Sequence, residues 1–211
     1  MTDATRRQRN PRGQGAHLRD EIVAGALVVL ERTGSEEAVS LRAIAREIGI
    51  ASPSIARHFS DVPEIIDAVV ATVLSDLYQA IVIAAARSDD PVERLFHASR
   101  SYVNYGRTHP ARYRVLIGRR YLDDWHDRNL TMEQTSPIMA RCIAIFRDTI
   151  QACVDTGRSA STDVNFDTLV SWFSLHGVVA LPAAITSLDW PDDEDLLVAS
   201  VTRAARLIEP S

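Results

Sequence analysis

The chain has 211 residues, a formal net charge of −5 and a mean hydropathy of −0.06, a balance that argues against a uniformly basic nucleic-acid binder. The charge is uneven, however, because residues 1–61 hold nine Arg against eight Asp or Glu, whereas the remaining 150 hold 14 against 20. A near-neutral N-terminal part can still bind DNA, since local potential rather than net charge governs the encounter. No stretch approaches the roughly 20 apolar residues that span a membrane and no signal-peptide core is present, so we expect a soluble, cytoplasmic protein.

The first 16 residues predict a flexible arm. They carry four arginines against a single aspartate and show no apolar periodicity. Such an arm can enter a minor groove or lie along phosphates, although a disordered segment that only aids solubility would have the same composition. The candidate DNA contacts in the arm are Arg6, Arg7 and Arg9.

Residues 40–59, SLRAIAREIGIASPSIARHF, predict two short helices around a tight turn. Ser40 is a good N-cap for the first helix, and Gly49 stands where a left-handed residue would end it. The apolar residues of this helix recur at i, i+3, i+4 and i+7 and therefore share one face. They are Leu41, Ile44, Ala45 and Ile48.

The second helix is predicted to begin at Ser52-Pro53, because serine caps free amides and proline tolerates the first helical position. Its apolar residues Ile55 and Phe59 are i and i+4, so the residues between them face away from the core. The residues that this leaves facing outward are Ser54, Arg57 and His58.

Two helices joined through a glycine turn are typical of a helix-turn-helix, in which the second helix enters the major groove, and also of an ordinary helical hairpin. The flanks favour the first interpretation. A helix over 17–33 with Ile22, Ala26, Val29 and Leu30 inward ends at Gly34. Asp61 and Glu64 have the spacing of a capping box that opens a long fourth helix.

Together these segments resemble the TetR family of one-component bacterial regulators. The resemblance lies in the first helix closing at Gly34, IAREIGI at 44–50, the Arg57-His58-Phe59 run and the acidic cap of the fourth helix. THPARYRVL at 108–116 and WFSLHG at 172–177 resemble the C-terminal domain type named after its Trp-His-Gly signature. The resemblance implies a homodimeric DNA-binding transcriptional regulator, and we expect a repressor that a small-molecule effector releases from its operator.

On this hypothesis we assign roles in DNA binding to individual residues. Ser52, Ser54 and Arg57 would meet base edges or nearby phosphates, and Pro53 a thymine methyl. Ser40, Arg42 and His58 would hold the DNA backbone.

Two positions depart from the family pattern. The family's tyrosine three residues before the phenylalanine is Ala56 here, and its lysine at the start of the fourth helix is Val62. Both are phosphate-contacting positions in the family, and each lost contact flattens the salt dependence of binding by about 0.9 in log–log slope. We therefore expect compensation elsewhere. The departures also support a rival hypothesis, a helical ligand-binding or scaffold protein with a weakened DNA-binding head.

The rest of the chain predicts helices only, which gives an all-α protein of about nine helices. The helices are expected over 62–86, 91–107, 111–121, 133–156, 166–187 and 193–208. This predicts a DNA-binding domain at 17–61 and an effector-binding and dimerisation domain at 62–211.

Each of the last two predicted helices carries a wide apolar stripe. The stripes could complete the core of a monomer, but the resemblance implies that they pair with their symmetry mates in a four-helix dimer interface. The first stripe contains Leu169, Trp172, Phe173, His176, Val179 and Ala180, and the second contains Leu196, Leu197, Val201, Ala204, Ala205 and Ile208.

The resemblance likewise implies an effector pocket among the middle helices. The aromatic residues of these helices do not show it by themselves, because they could equally be ordinary core residues. Our candidates for its lining are Tyr102, Tyr105, Phe146, Trp172 and His176.

Catalytic and metal chemistry have little support in the sequence. The run YLDDWHDRN brings Asp123, Asp124, His126 and Asp127 close together, but neighbouring loop residues seldom converge on one ion, and a solvated loop is the simpler interpretation. Cys142 and Cys153 are about 16 Å apart along one predicted helix, too far for a disulfide, and are better explained as packing than as redox sensors. We therefore expect no enzyme, no metal and no cofactor.

Overall fold

The computed structural model describes residues 15–118 and 136–208, and within those ranges every regular element is helical. This confirms the predicted all-α fold. The helices are α1 (Gly15–Thr33), a short 3-10 turn (Glu36–Ala38), α2 (Leu41–Ile48), α3 (Ser52–Ile55), α4 (Val62–Ala85), α5 (Pro91–Thr108), α6 (Pro110–Gly118), α7 (Pro137–Asp155), α8 (Val164–Ala184) and α9 (Asp193–Ala204).

The described residues form two compact units. The first unit comprises residues 15–73 and 110–118, and the second comprises residues 74–109 and 136–208. Helix α4 therefore begins in the first unit and ends in the second, and α6 groups with the N-terminal helices although it follows α5 in the chain. The functional boundary predicted at residue 62 stays a prediction.

The first unit is built around the predicted inner face of α1. Ile22, Ala26, Val29 and Leu30 are all buried, as are Ile44 and Ala45 of α2. Gly25 lets the two helices approach closely, because a Cβ there would lie 2.4 Å from the Ile48 Cγ2 methyl. The periodicity in the sequence thus identified the contact face of both helices.

Three helix boundaries in this unit follow the predicted signals. Gly34 and Gly49 have φ of 68° and 69°, and the Ile50 amide donates to the Ala45 carbonyl at 2.9 Å, which closes α2 as a glycine C-cap does. At the start of α4, Asp61 Oδ1 accepts the Glu64 amide at 2.9 Å. The glutamate reaches back to the Ser60 amide at 2.7 Å, one residue before the cap.

The start and length of α3 differ from the prediction. Its N-cap is Ala51, which makes no side-chain cap hydrogen bond, and Ser52 lies inside the first turn. The prediction that Ser52 caps this helix was therefore wrong. The helix ends at Ile55, after which the amides of His58 and Phe59 both donate to the Ile55 carbonyl in a turn. Ile55 and Phe59 are nevertheless both buried, as their spacing predicted.

The second unit packs α5, α7, α8 and α9 against one another. Two of its helices end three or four residues earlier than predicted. Helix α8 ends at Ala184 rather than at 187, two residues after Pro182, whose ring leaves the Val178 carbonyl without a helical donor. Arg107 Nη2 donates to that carbonyl at 3.4 Å.

Helix α9 ends at Ala204 rather than at 208. The following residues turn, with Arg206 at φ 50°, and run antiparallel to the segment before α8. The Ile208 amide donates to the Arg158 carbonyl at 3.0 Å, and the Ala160 amide to the Arg206 carbonyl at 2.9 Å. This pairing joins residues about 50 positions apart, so local periodicity could not reveal it.

We expected no stretch long and apolar enough to span a membrane, and this expectation was wrong: two helices are long and apolar enough by length and composition. Val62–Ala85 and Val164–Ala184 pass a test of length and hydropathy, with mean hydropathies of 1.8 and 1.2 over 18 residues. Core helices pass the same test. Ile65, Ile66, Val69 and Val70 of α4 are fully buried inside the protein.

Candidate functional site

The predicted helix-turn-helix is formed by α2, the turn through Gly49 and the single helical turn of α3. Ile44, Ala45 and Ile55 of this unit are buried. Among the candidate residues, Arg42, Pro53 and Arg57 are exposed and Ser52, Ser54 and His58 are half-buried. The candidate base readers are therefore accessible on one short segment.

Three of the candidates already have partners in the protein. Ser40 is exposed, and its Oγ accepts the Ala43 amide at 3.2 Å, as expected of an N-cap. Arg57 Nη2 donates to Ser54 Oγ at 3.3 Å, so the two predicted base readers hold each other in the free protein. The arm residues Arg6, Arg7 and Arg9 lie outside the described residues, as does the YLDDWHDRN segment.

The entrance to α4 contains a charged cluster that the sequence did not reveal. The guanidinium of Arg19, on α1, lies over the Phe59 ring with Cζ 4.3 Å from the ring centroid, and Nη2 is 3.8 Å from Glu64 Oε1. The backbone hydrogen bond from Ser60, with a smaller contribution from Arg19, lowers the pKa of Glu64. No spacing rule links residue 19 to residue 59, so only the fold brings this arginine to the head of α4.

Four of the five candidate effector residues meet in the second unit. Tyr102 and Phe146 pack edge to face with ring centroids 6.5 Å apart, and the Trp172 and His176 rings lie 4.7 Å apart. The Tyr102 hydroxyl is 2.9 Å from His176 Nδ1. We call these four residues the aromatic cluster. Tyr105 is instead paired with His109, at 4.9 Å between centroids.

The aromatic cluster contains one polar interaction, the hydrogen bond between Tyr102 and His176, but no charge. Burial lowers the pKa of His176 to about 4, so the imidazole is uncharged at neutral pH. The cluster is therefore a neutral hydrogen-bonded pair packed among aromatic rings. Tyr102 and Phe146 are themselves buried, which also fits the alternative that they are ordinary core residues.

The cysteines lie in the core of the same unit. Cys142 and Cys153 are free and buried, and burial raises their thiol pKa values to about 12 and about 11. Protonated thiols are poor nucleophiles, which supports a packing role.

The apolar stripes of α8 and α9 have different surroundings. Leu197, Val201, Ala204 and Ala205 of the second stripe are buried within the chain. On α8, Phe173 is 63% exposed, and an open groove of about 440 Å³ runs between the two helices. Other exposed apolar residues of α8 are Phe166, Leu169 and Leu181. The groove is lined in part by Val170, Phe173, Gly177, Leu181, Trp190 and Leu196.

Comparison with known proteins identifies similar chains. A family model described as "Tetracyclin repressor-like, C-terminal domain" matches residues 95–205. The uncharacterized HTH-type transcriptional regulator Rv0681 of Mycobacterium tuberculosis is 29% identical over 169 residues, covering 77% of this chain and 69% of that protein.

Solved structures share the fold. A protein of unknown function from Rhodococcus sp. RHA1 superposes with a TM-score of 0.75 at 22% identity, covering 94% of this chain and 98% of its own. The transcriptional regulator FadR from Bacillus subtilis, in complex with stearoyl-CoA, superposes with a TM-score of 0.67 at 14% identity, covering 90% and 99%.

Proposed function

The chain belongs to the TetR family of transcriptional regulators, and on that premise we propose that it is a homodimeric repressor that a small-molecule effector releases from its operator. It acts in the cytoplasm on double-stranded DNA and has no catalytic activity of its own. The observation that carries the proposal is the solvent-facing Arg57, hydrogen-bonded to Ser54 at the end of an α2–turn–α3 unit in which Ile44, Ala45 and Ile55 are buried.

In this proposal the first unit reads DNA. Arg57, in the turn after α3, and Ser54 of α3 meet base edges or the nearest phosphates, and Ser52 and Pro53 precede Ser54 on that short helix. Ser40, Arg42 and His58 contact the DNA backbone, and the arm with Arg6, Arg7 and Arg9 adds further contacts. A dimer presents two such helices to half-sites about one DNA turn apart, which predicts a palindromic operator.

The second unit binds the effector in this proposal. The aromatic cluster of Tyr102, Phe146, Trp172 and His176 supports a site with one neutral polar contact and apolar walls, and Tyr105, which packs on His109, stays a further candidate. The fold neighbour from B. subtilis is a regulator that was solved with stearoyl-CoA, so this fold can hold a ligand.

The two activities are coupled through helices shared by the units. Helix α4 passes from the first unit into the second, and α6 belongs to the first unit although it directly follows α5 of the second. An effector that shifts the second unit would thereby move the DNA-reading helices of the dimer apart or together. A difference of about 1–3 kcal/mol between the two spacings changes operator affinity about 5- to 150-fold.

The test begins with capture of fragmented genomic DNA from the source organism by the purified protein, followed by affinity for any enriched site. We expect a palindrome bound with nanomolar affinity at moderate salt. Arg57→Ala should weaken operator binding by a factor of about 10 to 100, since a good base contact contributes about 1–3 kcal/mol. Arg147→Ala is the matched control, because Arg147 is an equally charged, exposed residue of α7 paired with its neighbour Asp148.

The rival hypothesis predicts a different result in the same assay. Ala56 is exposed and Val62 half-buried, and neither can contact phosphate with a charge or a hydroxyl. If no site is enriched and only weak binding without sequence preference appears, the protein is a ligand-binding or scaffold protein with a weakened DNA-binding head. If a site is enriched but Arg57→Ala binds it as the wild type does, the assignment of base contacts is wrong.

A further inference from the structure

The proposed DNA-binding head lacks two of the phosphate-contacting side chains of the family pattern. Ala56 and Val62 replace the tyrosine and the lysine of the family, and they lie three residues before and three residues after Phe59. Phe59 itself is buried, at 2% exposure. A charge close to this phenylalanine could replace the lost contacts.

One arginine from another helix lies there. Arg19 stacks its guanidinium on Phe59 at 4.3 Å from the ring centroid, and its side chain remains 46% exposed. The stacking fixes the direction of a long side chain, which reduces the conformational entropy that a phosphate contact would cost. The position of the charge is thus set in the free protein.

The neighbouring carboxylate leaves the guanidinium available. Glu64 Oε2 accepts the Ser60 amide at 2.7 Å, whereas Glu64 Oε1 is 3.8 Å from Arg19 Nη2, beyond hydrogen-bonding distance. A phosphate that makes charge-assisted bonds of about 2.7–2.9 Å to the five-donor guanidinium competes well with a carboxylate at that separation.

We propose that Arg19 is a DNA-phosphate contact that takes over from the anchors missing at Ala56 and Val62. The inference rests on the proposed function, since it assumes that the first unit binds DNA. The ligand is the duplex backbone rather than a base, so the contact adds affinity without adding sequence preference. A purely structural Arg19, which only covers Phe59 and attracts Glu64, would leave the salt dependence of DNA binding unchanged.

The experiment measures DNA affinity of the full-length protein across a salt series, on the captured operator and on an unrelated duplex of equal length. Arg19→Gln should lower the magnitude of the log–log slope by about 0.9 on both duplexes. Arg32→Gln should leave the slope unchanged. Arg32 is the matched control because it is a similarly exposed arginine of the same helix, about 20 Å away along it and paired with Glu47.

Two further variants separate charge from packing. Arg19→Lys keeps the charge and should keep the slope, and Val62→Lys added to Arg19→Gln should restore it, since it replaces the lost charge at the family's own position. Circular dichroism of each variant before titration checks that the helices are intact.

Each result decides the proposal. A wild-type slope in Arg19→Gln overturns it while leaving the regulator function standing. Loss of slope in Arg19→Lys as well, without rescue by Val62→Lys, also overturns it, because shielding of Phe59 would then explain the effect. Wild-type protein that binds neither duplex refutes the proposed function together with the inference.

Discussion

His176 shows how burial determines the chemistry of a single side chain. Its ring lies against Trp172 and shares a hydrogen bond with the Tyr102 hydroxyl, and burial lowers its pKa from 6.5 to about 4. The native protein therefore favours the neutral imidazole, whereas the unfolded chain takes up a proton below pH 6.5. A histidine in this state can orient a ligand by hydrogen bonding but cannot attract an anion at neutral pH.

This difference predicts a pH-dependent stability. The stabilising contribution of neutral His176 is fully present above pH 6.5 and is lost progressively as the pH falls toward 4, by at most about 3 kcal/mol. We expect denaturant titrations at pH 7.5 and pH 4.5 to show a larger loss for the wild type than for His176→Gln, which has no proton to gain. Equal losses in the two proteins would mean that the imidazole titrates normally.

At the scale of helices, the contact between α1 and α2 depends on one missing side chain. A methyl at Gly25 would lie 2.4 Å from Ile48 Cγ2 and 3.7 Å from Ile44 Cγ2. Helix propensity alone favours alanine over glycine by about 1 kcal/mol, so the clash and the propensity predict opposite signs. Ile48 is branched at Cβ and cannot move its methyl without turning its whole side chain, so the clash should dominate.

Gly25→Ala is therefore expected to lower the free energy of unfolding by about 1–3 kcal/mol. Chemical denaturation followed by circular dichroism measures the change. Gly118→Ala is the control, since no atom lies within 4 Å of the added methyl among the residues described. A Gly25→Ala protein more stable than the wild type would contradict this prediction, because it would show that α1 and α2 leave room for the added methyl.

The sequence predicted those helices well because their signals are local. The inner face of α1, the Ser40 cap, the Gly34 and Gly49 ends and the Asp61 cap all depend on residues within about five positions of one another. The start of α3 was misplaced by one residue because Ser52 and Pro53 fit either a cap followed by the first turn or the first turn itself.

What the sequence could not give are contacts between distant segments. Arg107 reaching the carbonyl freed by Pro182, the pairing of residues 158–160 with 206–208 and Arg19 over Phe59 all join parts of the chain that no periodicity links. The aromatic cluster is an intermediate case. Its members were named through a family resemblance, and the hydrogen bond between Tyr102 and His176 became evident only in the fold.

For the whole molecule, the exposed face of α8 is the feature that a single chain leaves unexplained. Phe166, Leu169, Phe173 and Leu181 are between 39% and 63% exposed on one helix, whereas the neighbouring stripe of α9 is mostly buried in the chain. A folded monomer seldom exposes a contiguous apolar face of this kind, and a second copy would cover it. A regulator that reads a palindrome also requires two copies.

Phe173→Arg should accordingly convert the dimer into a folded monomer. The side chain is 63% exposed within the protomer, so the substitution leaves the core intact but places a charge in the proposed interface. Ile83→Arg is the matched control, because Ile83 is an apolar residue of α4 that is 62% exposed and lies outside α8 and α9. Sedimentation velocity over a concentration series should show a monomer for Phe173→Arg and a dimer for Ile83→Arg, with helical circular dichroism unchanged in both. A dimeric Phe173→Arg would move the interface away from this face, and a monomeric wild type would remove the two-headed geometry on which operator binding depends.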